Sequence, residues 1–355
     1  MRMNGKRSGI HWWGRLWNSP LPKLGCEISD TGISIARWSR NSAELDTAAW
    51  SAIPAGAVEA SPLRENIHRP EEVRKAFAEA LDSLGMAPAP DSSRRGTDAV
   101  LVLPDQAARL FVLDFDTFPQ RKSEGLPLVK WRLKKSVPFD IESAAISHWL
   151  QRSGAELQVV AVATPQWIIR QYEAIAEHFG LRPRCVTLST LAALGLATST
   201  QESLLFAGRA GEPASNTMGG NGRPNLKPGG PAAVLVAKYS PPWFTTAILQ
   251  GAMLRLFRTV GLSAGEDGLI SPDEALAAIY PSVAYFQDNF AGLLARGYLC
   301  GLGENSSAIA ALLESELNLQ AGSLMEDIQD LAVNRHGAEE HFAALLGIAR
   351  ENGSQ

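Results

Sequence analysis

Cysteine is scarce in this chain: three residues in 355, at Cys26, Cys185 and Cys300. Their wide separation excludes a disulfide framework and the close spacing of a zinc site, and it suits a reducing compartment such as the cytoplasm. Histidine is also sparse. Its six residues form no H-E-x-x-H pair, so the common metalloprotease pattern is missing and no metal ligands are expected. No apolar run reaches the roughly 20 residues of a membrane-spanning helix. The best window, Val186 to Ala197, is short and broken by Thr and Ser. A net charge of −4 gives no electrostatic footprint for nucleic acid.

One absence is local. Residues 1–23 contain no acidic residue but carry Arg2, Lys6, Arg7, Arg15 and Lys23. On a helix Trp12, Trp13, Leu16 and Trp17 would share one face, the composition of an interfacial membrane anchor. Gly9 and Gly14 weaken that helix, and the plainer alternative is a tail that is disordered or docked on its own domain. The segment lacks the continuous apolar core of a secretory signal.

What is present is organised as two similar halves. "LGCEISDTGISIARW", Leu24 to Trp38, reads as a hairpin around Asp30-Thr31-Gly32, and "ELDTAAWSAIP" adds a third strand. Pro70-Glu71-Glu72 opens a helix that runs to about Leu84 with an apolar face of Val73, Phe77, Ala80, Leu81 and Leu84. From Asp98 to Leu188 the chain alternates strands with helices over about Ser123–Ser136 and Pro165–Phe179, which reads as a small α+β subdomain. A helix follows at about Ser189 to Thr198. Residues 207–231 are loaded with Gly, Pro and Asn and are expected to form a flexible surface loop. "AAVLVAKY", "WFTTAILQ" and "AMLRLFRTV" then repeat the strand triplet, and Ser271-Pro272 with Glu274 forms the capping box of the next helix. The expected division is an arm at 1–23, a first half at 24–97, an insert at 98–188 and a second half at 189–355.

A duplicated α/β domain makes a cleft where the first turns of the two halves face each other. Turn N–H groups there can point at phosphates, and carboxylates can hold magnesium through water. With this layout the chain resembles the PilM family of actin-like type IV pilus assembly proteins, relatives of the cell-division protein FtsA. The likeness covers roughly Leu24 to Arg350. It is carried by the first hairpin, by "IPAGAVEASPLRENIHRPEEVRKAF", by "VLVLPDQAARLFVLDF" running into "LPLVKWRLKKSVPFDIESAAISHWL", and by the C-terminal "FAALLGIAR". It implies an α/β fold of duplicated actin-like (ribonuclease H-like) domains with an inserted small α+β subdomain.

The resemblance also implies a nucleotide site for ATP and magnesium, and here the family pattern is damaged. Its Asp-Ile-Gly first turn corresponds to Glu27, Ile28 and Ser29, where Glu reaches one methylene further and Ser replaces a glycine. Asp30, Thr31 and Ser34 could still meet phosphate, although Ser34 stands where the family has lysine. The second turn, Val-Asp-Ile-Gly in the family, reads Val236-Ala237-Lys238-Tyr239, and Pro241-Pro242 removes two more N–H donors. Lys238 could meet a phosphate or be solvated. The adenosine-side glycine cluster keeps Gly301 and Gly303. ATP hydrolysis is not expected, and nucleotide binding alone stays open.

Function then rests on binding. The resemblance implies a cytoplasmic platform, peripheral at the inner membrane, that holds the cytoplasmic N-terminal peptide of a PilN-like membrane partner and links it to pilus motor proteins. Lys134, Lys135 and Phe139 in the insert are candidate peptide contacts, and Trp12, Trp13 and Trp17 candidate membrane contacts. A working actin-like ATPase and a platform component of a type II secretion-like system are the alternatives.

Overall fold

A computed structural model describes residues 22–38, 45–86, 96–119, 121–198, 231–265, 268–325 and 339–353. The expectations for Trp12, Trp13 and Trp17 and for the loop at 207–230 lie outside the described residues.

The first half is built on β1 (Leu24–Ile28), β2 (Gly32–Trp38) and β3 (Leu45–Ala52), an antiparallel meander. The first turn is set by sequence: Ile28 pairs with Ile33, and the Ser29 N–H closes the loop on the Gly32 carbonyl at 2.9 Å. Helix α1 (Pro70–Ser83) packs on β2 and β3. It buries Val73, Ala76, Phe77, Ala80 and Leu81, and each large side chain among them stabilises the fold by about 1.5–3 kcal/mol. The meander then continues as parallel sheet: β4 (Thr97–Leu103) pairs with β1, and β8 (Leu181–Leu188) pairs with β4, giving the order β3-β2-β1-β4-β8.

This pairing corrects the boundaries expected for the insert. Residues 98–188 are not one block, because β4 and β8 are the inner and outer parallel strands of the first sheet. The last five residues of β4 are all buried, as a central parallel strand requires, and that apolar run was the available signal. The insert proper is the sheet of β5 (Arg109–Asp114), β6 (Ala144–Ser153) and β7 (Glu156–Pro165), in the order β5-β7-β6, with helix α2 (Lys122–Leu133). Val129, Leu133, Ile141, Val159, Ala161 and Ala163 form its core. Pro127 lies in the second turn of α2 rather than the first. Helix α3 (Gln166–His178) returns the chain to β8.

The second half repeats the plan. Strands β9 (Ala233–Ser240), β10 (Trp243–Gln250) and β11 (Met253–Gly261) are antiparallel. Strands β12 (Leu294–Cys300) and β13 (Ala321–Ser323) extend them in parallel, in the order β11-β10-β9-β12-β13. Helix α5 (Pro272–Asn289) begins with the expected capping box, the Ser271 hydroxyl accepting from the Glu274 N–H while the Glu274 carboxylate accepts from the Ser271 N–H. Helix α6 (Ser306–Leu317) packs beside α5.

Two further helices were expected in the second half and instead lie on the first. Residues 189–198 form α4, and the terminal helix α7 (Ala343–Gly353) packs on β1 and β2. Both belong to one apolar core shared by Cys26 and Leu101 of the first sheet and Val236, Tyr298 and Cys300 of the second. Their crossing is closer than ordinary side chains allow. A Cβ on Gly347 would lie 2.1 Å from the Ala192 carbonyl oxygen, and one on Gly195 would lie 2.5 Å from the Gly347 carbonyl oxygen.

Candidate functional site

The cleft between the halves is where a nucleotide would sit, and each wall is described by the hydrogen bonds its residues make. In the first turn the Ser29 hydroxyl donates to the Gly32 carbonyl at 2.9 Å and accepts from the Gly32 N–H at 3.1 Å and the Thr31 N–H at 3.4 Å. The Asp30 carboxylate accepts from the Ala60 N–H at 2.8 Å. The groups that would face phosphate are therefore spent on the turn itself.

Glu27 is the fourth residue of β1 and is buried. Its carboxylate accepts from the Ser189 hydroxyl, at the start of α4. The same hydroxyl accepts from the Lys238 ammonium of β9 at 2.7 Å, and Lys238 also donates to the Ser240 hydroxyl at 2.6 Å. Lys238 is only 5% exposed, which corrects its reading as a solvated strand-end lysine. One cation and one carboxylate from opposite halves are thus joined through a hydroxyl oriented to serve both. Burial pushes the Glu27 carboxyl up, opposed by the Lys238 charge and the Ser189 hydrogen bond.

Two more sets of contacts lie near this bridge. Asp105, in the turn after β4, accepts from the Thr190 N–H at 2.9 Å and from the Thr190 hydroxyl, and it accepts from the Thr245 hydroxyl of β10 at 2.9 Å. A carboxylate at the first turn of α4 also complements the helix dipole. Ser34, where the resemblance expects a phosphate-binding lysine, donates to the His341 carbonyl at 2.8 Å. The His341 ring stacks on Trp50 with centroids 4.4 Å apart. Burial, aided by the Lys238 charge, pushes that imidazole below its ordinary value, so it stays neutral.

Of the remaining nucleotide candidates, Gly301 meets the damaged second turn directly. It has φ +76°, and a Cβ there would lie 2.0 Å from the Tyr239 carbonyl oxygen. Its glycine is required by this crossing whether or not a nucleotide is present. Gly303, at φ +55°, begins a single 3-10 turn. The residues present do not fit Mg-ATP. The carboxylate that would anchor hydrated magnesium is occupied by Lys238 through Ser189, and the first-turn donors are used within the turn. Sequence reasoning missed Ser189, Asp105 and His341, because each is brought to the cleft by chain distant from the turns.

The insert separates its three candidates. Phe139 is half-buried against the insert's core, whereas Lys134 and Lys135 are exposed beyond the end of α2. The corner that carries Phe139 is tied to α3 by the Gln166 N–H, which donates to the Ser143 carbonyl at 3.4 Å. Elsewhere, Trp167 of α3 and Leu63 of the segment before α1 are 45% and 52% exposed. The segment that holds Leu63 is pinned to α3 because Gln171 accepts from the Asn66 and Ile67 N–H groups at 2.9 and 3.1 Å.

The insert is also fastened to the second half. The Gln151 amide of β6 donates to the Leu254 carbonyl at 2.8 Å and accepts from the Leu254 N–H at 3.0 Å, capping the edge of β11 as a strand would. Arg255 makes a two-pronged pair with Glu156.

The duplicated sheets and the inserted three-stranded subdomain define an actin-like fold, with Glu27, Ser189 and Lys238 hydrogen-bonded between its halves. No family model matches the chain and no curated protein matches it in sequence. Among solved structures it is similar to a PilM–PilN type IV pilus biogenesis complex, with 18% identity and a TM-score of 0.65 over 94% of this chain and 99% of that one. It is also similar to the cytoplasmic domain of EpsL, an inner membrane component of the type II secretion system of Vibrio cholerae, with 12% identity and a TM-score of 0.45 over 94% of each chain. At these identities the likeness is one of fold, and the fold is PilM-like. Among the described residues no helix is long and apolar enough to cross a membrane.

Proposed function

We propose that this protein is a cytoplasmic platform for a type IV pilus-like assembly, which binds a short peptide of a PilN-like inner-membrane partner and does not turn over ATP. The observation that carries the proposal is a hydrogen-bonded bridge between the halves. Lys238, Ser189 and Glu27 link the two halves where an actin-like ATPase would place metal and phosphate. With its cleft bridged from within, the fold offers rigid surfaces rather than a catalytic cycle. The fold likeness to a PilM–PilN complex supports the choice of partner.

The surface best suited to an extended peptide is the junction of the insert and the first half. Phe139 borders it from the insert, and Trp167 and Leu63 from α3 and the segment before α1. Half-exposed aromatic and aliphatic side chains supply anchors there, and the adjoining backbone supplies hydrogen bonds.

Two titrations test the proposal. Calorimetry with Mg-ATP is expected to show neither binding heat nor turnover. Micromolar binding with turnover abolished by Glu27→Ala would defeat the scaffold reading. Calorimetry with the N-terminal cytoplasmic peptide of a single-pass protein encoded alongside is expected to show binding weakened about tenfold or more by Trp167→Ala, as removal of a buried aromatic anchor does.

A further inference from the structure

We propose that the outward face of α2 is a contact for an anionic membrane surface. The helix has one buried face and one exposed face. Gly125, Val129 and Leu133 are buried at i, i+4 and i+8, facing the sheet of the insert. The opposite side presents Pro127 and Trp131, continuing past the helix end into Lys134 and Lys135, all exposed. Trp131 is 70% exposed, more than any other large apolar side chain among the described residues.

The charge around it is one-sided. Residues 121–135 hold six basic residues and one acidic residue, in a chain whose net charge is −4. Lys130 is paired with Glu142 and Arg121 with Glu124. Arg132, Lys134 and Lys135 are exposed and make no ion pair among the described residues. An indole flanked by unpaired cations is the chemistry of a headgroup layer, where the ring sits at the apolar boundary and the cations meet phosphate.

The same features argue against a folded protein as the occupant. A protein interface would surround the anchor with further apolar side chains, whereas Trp131 has Lys130, Arg132, Lys134 and Lys135 around it and only Pro127 and Leu128 as apolar neighbours along the helix. Lysine heads on flexible stems suit a diffuse anionic surface better than the planar, directed recognition of a single carboxylate. In sequence, residues 1–23 repeat the composition, with five basic residues, three tryptophans and no acid, so a second contact of the same kind is available to the chain. This goes beyond the peptide-binding role and does not depend on it.

The test is co-sedimentation of the full chain with vesicles of phosphatidylcholine, alone or with about one-third phosphatidylglycerol. Binding to the anionic vesicles is expected to exceed binding to the neutral ones by about tenfold or more, and to fall as salt rises. Trp131→Ala is expected to weaken it about fivefold at an unchanged melting temperature, since the side chain is exposed. Lys134→Glu with Lys135→Glu is expected to weaken it about thirtyfold or more. These losses are expected to persist when Trp12, Trp13 and Trp17 are replaced by Ala, which separates α2 from the arm. Equal binding to both vesicle types, or anionic binding unaffected by the α2 variants, overturns the proposal. So does a pattern in which those variants weaken partner-peptide binding and leave vesicle binding intact, which would assign the face to the peptide.

Discussion

Asp30 shows how a turn residue can acquire a structural duty with a pH signature. Burial pushes its carboxyl up from 3.8 to about 6, even though the Ala60 N–H bond favours the charged form. Between those two values the folded protein holds a proton on Asp30 that the unfolded chain has released. Its favourable contribution is therefore full below 3.8 and is lost as pH rises through about 6. Asp30→Asn keeps an acceptor for Ala60 and has no charge to bury. The variant is expected to gain stability relative to wild type as pH rises from about 4 to about 7, measured as the difference in melting temperature across that range. A flat difference would show that the carboxylate is better solvated than its position implies. The turn around Asp30 was legible from Asp30-Thr31-Gly32 in the sequence. The Ala60 contact was not, because it depends on where the chain returns after β3.

At the scale of elements, the crossing of α4 and α7 is tightly constrained. Gly347 and Gly195 let the two backbones approach, and any Cβ at Gly347 would meet the Ala192 carbonyl oxygen. Gly347→Val is expected to destabilise the fold by at least about 1–3 kcal/mol, because backbone must shift to admit the side chain. Chemical denaturation checks this, with Gly353→Val at the last residue of α7 as the control. Local signals in the sequence identified the hairpin, the α5 capping box and the α1 face, since each is fixed by neighbours within a few residues. The placement of β4 and β8 was hidden because parallel partners lie far apart in the chain. Leu101 pairs with Cys26 on one side and Val186 on the other. The role of α7 was hidden for the same reason: a helix that ends the chain packs where the chain began.

At the scale of the molecule, the Lys238–Ser189–Glu27 link decides how the two halves are held. Its parts are separated by 49 and 162 residues, so the two turns could be read in the sequence but the link between them could not. Removing the cation alone leaves a buried carboxylate without its partner. Lys238→Met is therefore expected to cost about 3–5 kcal/mol, whereas Lys238→Met combined with Glu27→Gln recovers most of that loss. Urea denaturation of the two single variants and the double variant measures the coupling, and additive losses would show that the link carries no energy of its own. The resemblance legible in the sequence anticipated the duplicated fold.

The attachment of the insert to the second half has a mechanical consequence. Gln151 grips the backbone of Leu254 and Glu156 grips Arg255, so the subdomain is anchored at both ends of the molecule. A tug on the insert then travels by two routes, through β4 and α3 into the near half and through β11 into the far one. Tension shared in this way favours motion of the two halves as a unit over gaping of the cleft between them.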